Sequence, residues 1–89
     1  MNIDKLRQEI DDIDDMLLNL FERRMQIVKE IGQYKKEQAL PVKDSERERT
    51  ILSRLCEKAG PEMAEYVKTL FLCILEMSGN YQNAMPKCL

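Results

Sequence analysis

Histidine is missing from this chain of 89 residues. That removes the Ser-His and Cys-His nucleophile pairs and the commonest zinc sites. Cysteine is scarce and odd in number, three residues with no CxxC spacing, so neither a disulfide framework nor a thiolate metal site is expected. Three glycines and three prolines leave little punctuation, as in a mostly helical chain. No charge predominates: 14 Lys and Arg stand against 16 Asp and Glu, where a nucleic-acid binder would show a basic excess. The opening Met1-Asn2-Ile3-Asp4-Lys5 is charged and lacks the apolar stretch of a signal peptide, which predicts a reducing, cytoplasmic setting away from membranes. What remains is 44% hydrophobic and 34% charged, the make-up of one small folded domain.

Ile3, Leu6, Ile10, Ile13, Leu17, Leu20, Arg24, Ile27, Ile31 and Tyr34 recur in alternating steps of three and four. This heptad seam predicts one long helix over about 3–36, roughly 50 Å in length. The rest of the chain is too short to cover such a stripe, so an obligate homodimer with long helices side by side is expected. Pro41 ends the helical stretch. Asp44 or Ser45 then offers an N-cap, and Ser45-x-x-Glu48 fits a capping box, for a second helix over about 45–59. Gly60-Pro61 reads as a stop followed by a start. A third helix is predicted over about 61–83, and residues 84–89 are expected to fray. Cys56 and Cys73 lie on apolar stripes, as core thiols do, and Cys88 falls in the tail. Gly32 and Gly79 interrupt helical patterns, and each reads as a site of close backbone approach or as a simple tolerated defect.

The informative residues are polar ones on apolar stripes, because burial obliges them to find partners. Arg24 sits in the seam itself, where it either fixes register against a partner carboxylate or holds an anion. Lys35 lies 11 residues on, on the same face and about 16 Å away along the axis. By itself it reads as a helix-end lysine favoured by the dipole. Arg7 lies about 25 Å before Arg24 along the helix. It reaches the same small ligand only across an antiparallel dimer; otherwise it is a surface charge. Glu48 and Arg47 open helix two, where capping and a surface ion pair account for them. Ser78 and Gln82 end a stripe of helix three, where a serine bonded to its own helix and an ordinary helix-end glutamine suffice. Jointly, however, several cations, one acid and two neutral polar groups on core-facing positions suit a small, oxygen-rich dianion. A nucleophile with its base, a metal cluster and a Gly-rich phosphate loop are all lacking. An enzyme built this way works by positioning and electrostatics and needs no cofactor.

The motifs Leu6-Arg7 with Ile10-Asp11-x-Ile13-Asp14, Arg23-Arg24 with Ile31-Gly32-x-x-Lys35, Pro41-Val42-x-Asp44 with Arg47-Glu48, and Ser78 with Gln82 resemble those of the all-helical class of chorismate mutases. The resemblance runs from Leu6 to about Gln82. It implies an interwound all-α homodimer, three helices per chain, with each of two active sites borrowing an arginine from the partner. It also implies the rearrangement of chorismate to prephenate, on the way to phenylalanine and tyrosine. By position, Arg24 and the partner's Arg7 would hold the two substrate carboxylates, with Ser78 assisting at one. Lys35 and Gln82 would donate to the ether oxygen. Glu48, with the backbone around Asp44, would bind the ring hydroxyl, and Arg47 would line the pocket. Two other readings compete: an isochorismate-pyruvate lyase of the same fold, and a non-catalytic helical dimerisation module.

Overall fold

A computed structural model describes residues 2–84. Three helices account for most of them: α1 (Ile3–Glu37), α2 (Ser45–Ala59) and α3 (Ala64–Ala84), with no strand among the described residues. The Asn2 side chain caps α1 by accepting from the amides of Asp4 and Lys5 at 3.0 and 3.4 Å. At the other end the chain closes a Schellman motif. Leu40 N–H donates to the Lys35 carbonyl at 2.7 Å, and Ala39 N–H to the Lys36 carbonyl at 3.2 Å. Ala39 sits at φ 55°, a left-handed conformation that glycine occupies without strain.

The cap of α2 is Asp44, whose Oδ1 accepts from the Arg47 amide at 3.0 Å. The Ser45–Glu48 capping box does not form, because Asp44 takes the N-cap and Ser45 is already the first residue of the helix; the Glu48 carboxylate pairs with Lys43. Helix α3 begins later than the sequence suggests. Gly60 turns the chain at φ 79°, and residues 61–63 make a turn closed by Ala64 N–H to the Gly60 carbonyl at 3.0 Å. Pro61 brings no N–H to that turn, and the regular ladder starts at Ala64. The tail beyond Ala84, Cys88 included, lies outside the described residues.

Helix α3 packs against both α1 and α2. The best-buried side chains lie on the faces where the helices meet, and they are as much polar as apolar: Val28, Ile51, Ser78 and Gln82, each at most 8% exposed. Val28 and Ile51 are the only hydrophobic residues buried among those described. The α1 seam from Ile3 to Tyr34 lies open, as do Tyr66, Leu70, Leu72 and Met77 on α3. Cys73 is exposed within the single chain, contrary to the core position its stripe suggests, because the stripe itself is uncovered. A Cβ added at Gly79 would meet nothing within 4 Å, so this glycine does not serve close helix approach within the chain. No helix among the described residues is long and apolar enough to cross a membrane.

The molecule measures 57 × 29 × 14 Å with a radius of gyration of 16.5 Å. A compact chain of this length has a radius near 12 Å. The long dimension is that of α1, and the short one is little more than a single layer of helices.

Candidate active site

The three helices and the α1–α2 connector line a half-open cavity of about 360 Å³, within the range of small-molecule sites. Its apolar walls are Val28, Ile31, Ile51 and Leu75. Its polar lining includes Arg24, Lys35, Asp44, Arg47, Glu48, Ser78 and Gln82. Every residue singled out from the sequence is therefore brought together except Arg7, which lies far along α1 and does not reach the cavity from within one chain. Heptad geometry explains the grouping. Arg24, Val28, Ile31 and Lys35 follow at intervals of three and four and share the α1 face turned to α3.

Arg24 is held from α3. Its Nη1 donates to Ser78 Oγ at 2.8 Å, and Ser78 donates its own proton to the Ile74 carbonyl at 2.7 Å. A serine has one proton to give. In this arrangement Ser78 orients the guanidinium, and its donor is already engaged. Burial, and after it the neighbouring charge of Arg47, lowers the Arg24 pKa below the ordinary arginine value. Among the described residues neither of these two cations pairs with a carboxylate, and a bound anion relieves their repulsion.

Lys35 reaches across the connector and donates to the Val42 carbonyl at 2.7 Å. An ammonium carries three protons, so two remain for a ligand. Arg24, Lys35 and Arg47 form no ion pair with a carboxylate among the described residues, whereas Lys43 pairs with Glu48 at 2.9 Å. Gln82 is 6% exposed, and its Oε1 is buried with no hydrogen-bond partner. An unsatisfied buried carbonyl oxygen is rare in an ordinary interior and fits a site awaiting a donor. Asp44 turns its carboxylate to the α2 cap.

The cavity also holds groups that sequence reasoning passed over: Lys43, Glu76, Asn80, Asn83 and the Val42 carbonyl. Glu76, Asn80 and Asn83 lie beside Ser78 and Gln82 on α3, a proximity that the stripe pattern alone gives no reason to prefer. Among the described residues no cluster of acidic or thiol side chains is placed to hold a metal ion.

A family model described as chorismate mutase type II matches residues 6–83. The chain is 38% identical over 82 residues to a bifunctional chorismate mutase/prephenate dehydratase of Escherichia coli K12, covering 90% of this chain and 21% of that protein. It is 33% identical over 51 residues to a chorismate mutase of Methanocaldococcus jannaschii, covering 57% of this chain and 52% of that one. The chain thus spans about a fifth of the bifunctional relative and about half of the archaeal one. Among solved structures, a conserved hypothetical protein from Pyrococcus furiosus superposes with a TM-score of 0.76 at 36% identity, over 90% of this chain and 93% of that one.

Proposed function

The chain belongs to the type II chorismate mutase family, and on that premise we propose that it rearranges chorismate to prephenate in a homodimer with two shared active sites. The observation that carries this reading is the cavity chemistry. Among the described residues Arg24, Lys35 and Arg47 have no carboxylate partner, and all three line one small cavity. Chorismate brings what these groups lack: two carboxylates, an ether oxygen and a ring hydroxyl.

The reaction breaks a C–O bond and forms a C–C bond within one molecule, and no proton needs to move. What the protein supplies is conformation and charge. Arg24, aimed by Ser78, takes one carboxylate, and the partner's Arg7 takes the other. The enolpyruvyl arm is then folded over the ring, in the geometry where the new bond forms. As the C–O bond lengthens, negative charge gathers on the ether oxygen. Lys35 and the Gln82 amide donate to it from fixed positions in a water-poor site. Glu48 accepts from the ring hydroxyl, and Arg47 lines the pocket.

The dimer rests on shape and area. The chain exposes 7584 Å², whereas a compact monomer of 10.5 kDa exposes about 5,400 Å². The excess, on the order of 2,000 Å² per chain, is what an obligate dimer buries. An antiparallel α1 pair lays the N-terminal turns of one copy beside the middle of the other, which is where Arg7 is needed.

Absorbance loss of chorismate, with identification of prephenate, tests the activity. Lys35→Ala should reduce kcat/KM by about 10²–10³-fold, as loss of an oxyanion donor does, with helicity unchanged. Near-normal turnover by that variant rules out the role of Lys35. Pyruvate release from isochorismate, without prephenate formation from chorismate, replaces the mutase reading by a lyase. Absence of both activities, with no rise in Tm when a dicarboxylate mimic is added, leaves a helical dimerisation module.

A further inference from the structure

The connector between α1 and α2 touches a site residue at three consecutive positions. Val42 gives its carbonyl to Lys35 Nζ at 2.7 Å. Lys43 places Nζ 2.9 Å from Glu48 Oε2. Asp44 caps the Arg47 amide through Oδ1 at 3.0 Å and accepts from the Glu48 amide through its carbonyl, also at 3.0 Å. Upstream, the Schellman bonds tie Ala39 and Leu40 to the end of α1. The backbone of Lys43 is therefore held on both sides.

Exposed ion pairs ordinarily contribute little, since ordering two long side chains opposes the attraction and solvent screens it. This pair differs in two respects. Glu48 is only 27% exposed, and Lys43, though 75% exposed, extends from a pinned segment. Glu48 also has somewhere else to go. A second hollow lies on its other side, lined by Ser45, Arg49, Leu52, Leu72, Leu75 and Glu76 together with Lys43 and Glu48 themselves. Arg49 offers a rival cation there. Without Lys43, the carboxylate has open space to leave the cavity, with Arg49 drawing it out and the Glu76 carboxylate, also in that hollow, opposing it.

We propose that Lys43 is a positioning residue: it holds one oxygen of the Glu48 carboxylate and so aims the other, which has no hydrogen bond among the described residues, at a ligand hydroxyl in the cavity. This rests on the reading that Glu48 accepts from the ring hydroxyl of the substrate. Lys43 itself touches no reacting atom. Its effect belongs to binding and orientation, so it is expected in KM more than in kcat.

The test compares Lys43→Met, Lys43→Arg, Glu48→Gln and the Lys43→Met/Glu48→Gln double variant on chorismate and on an analogue lacking the ring hydroxyl. Lys43→Met should lower kcat/KM for chorismate about fivefold, mostly through KM, and Lys43→Arg should restore it to within about twofold. The same Lys43→Met variant should process the dehydroxy analogue as the wild type does. In the Glu48→Gln background its effect should fall below about twofold, because the coupling has gone. An equal loss on both substrates, or in both backgrounds, shows that Lys43 acts through the general field or the fold, and overturns the proposal. If Glu48→Gln leaves the preference for the hydroxylated substrate untouched, it is the Glu48 assignment that fails, and Lys43 falls with it. Circular dichroism of each variant detects a folding defect. The two-substrate comparison within a single variant remains decisive in that case.

Discussion

Gln82 and Lys35 face one cavity with opposite electrical characters, a neutral amide and an ammonium. Only the amide can be replaced by a near-isosteric acid. In Gln82→Glu the side chain donates a hydrogen bond only when protonated, and an unperturbed glutamate has a pKa of about 4.3. The variant should therefore be nearly inactive at neutral pH and gain turnover as pH falls through the glutamate pKa. A flat kcat–pH profile in that variant removes Gln82 from the ether oxygen. Arg24 poses a different question, because its pKa is lowered mainly by burial. For a cation, a lowered folded-state pKa means that the charged form is disfavoured by folding at every pH below that pKa, which covers the whole working range. Arg24→Met removes the desolvated charge and leaves Ser78 its bond to the Ile74 carbonyl. Tm should stay level or rise by up to about 5 °C while activity falls at least about 10²-fold. A clear drop in Tm would mean that Arg24 is held for structure rather than for a ligand.

The helices differ in how plainly the residues announce them. The α1 seam repeats without a gap from Ile3 to Tyr34, and periodicity alone places both ends within a residue or so. The start of α3 is less legible. Gly60-Pro61 marks a boundary correctly, but whether residues 61–63 form a turn or helix depends on the exit angle set at Gly60. The cap that closes α1 is hidden for a clearer reason: its Schellman motif puts alanine where glycine is the usual signal. Heptad spacing brings Arg24 and Lys35 to one face, whereas Lys43 lies in an irregular connector whose path no periodicity describes. Ala39 supplies a direct check on that path. Holding a non-glycine residue in the left-handed region costs about 1 kcal/mol. Ala39→Gly should thus raise Tm, by about 4 °C for a chain of this size, with kcat/KM unchanged within about twofold. A lower Tm would show that Ala39 does not adopt that conformation in solution.

Taken as a whole, the chain is a bar some 57 Å long carrying a short helical pair, with its polar centre better buried than most of its hydrophobic residues. Hydrophobic burial is the main favourable term in folding, and here it is left mostly unused within one copy. The proposed twofold partner would use it and bring Arg7 to the site, and on that proposal stability and catalysis depend on the same association. In a shared site of this kind, each cavity takes Arg24 from one copy and Arg7 from the other. Arg7→Ala dimers and Arg24→Ala dimers should each be inactive. In a hybrid, one cavity carries both defects and the other carries neither. Equal mixing makes half of the dimers hybrid, with one working site of two, so after subunit exchange activity should return to about a quarter of the wild-type level. Native mass spectrometry of the mixture establishes that exchange has occurred. Persistent inactivity in a verified hybrid population would place Arg7 outside the site and confine the active site to a single chain.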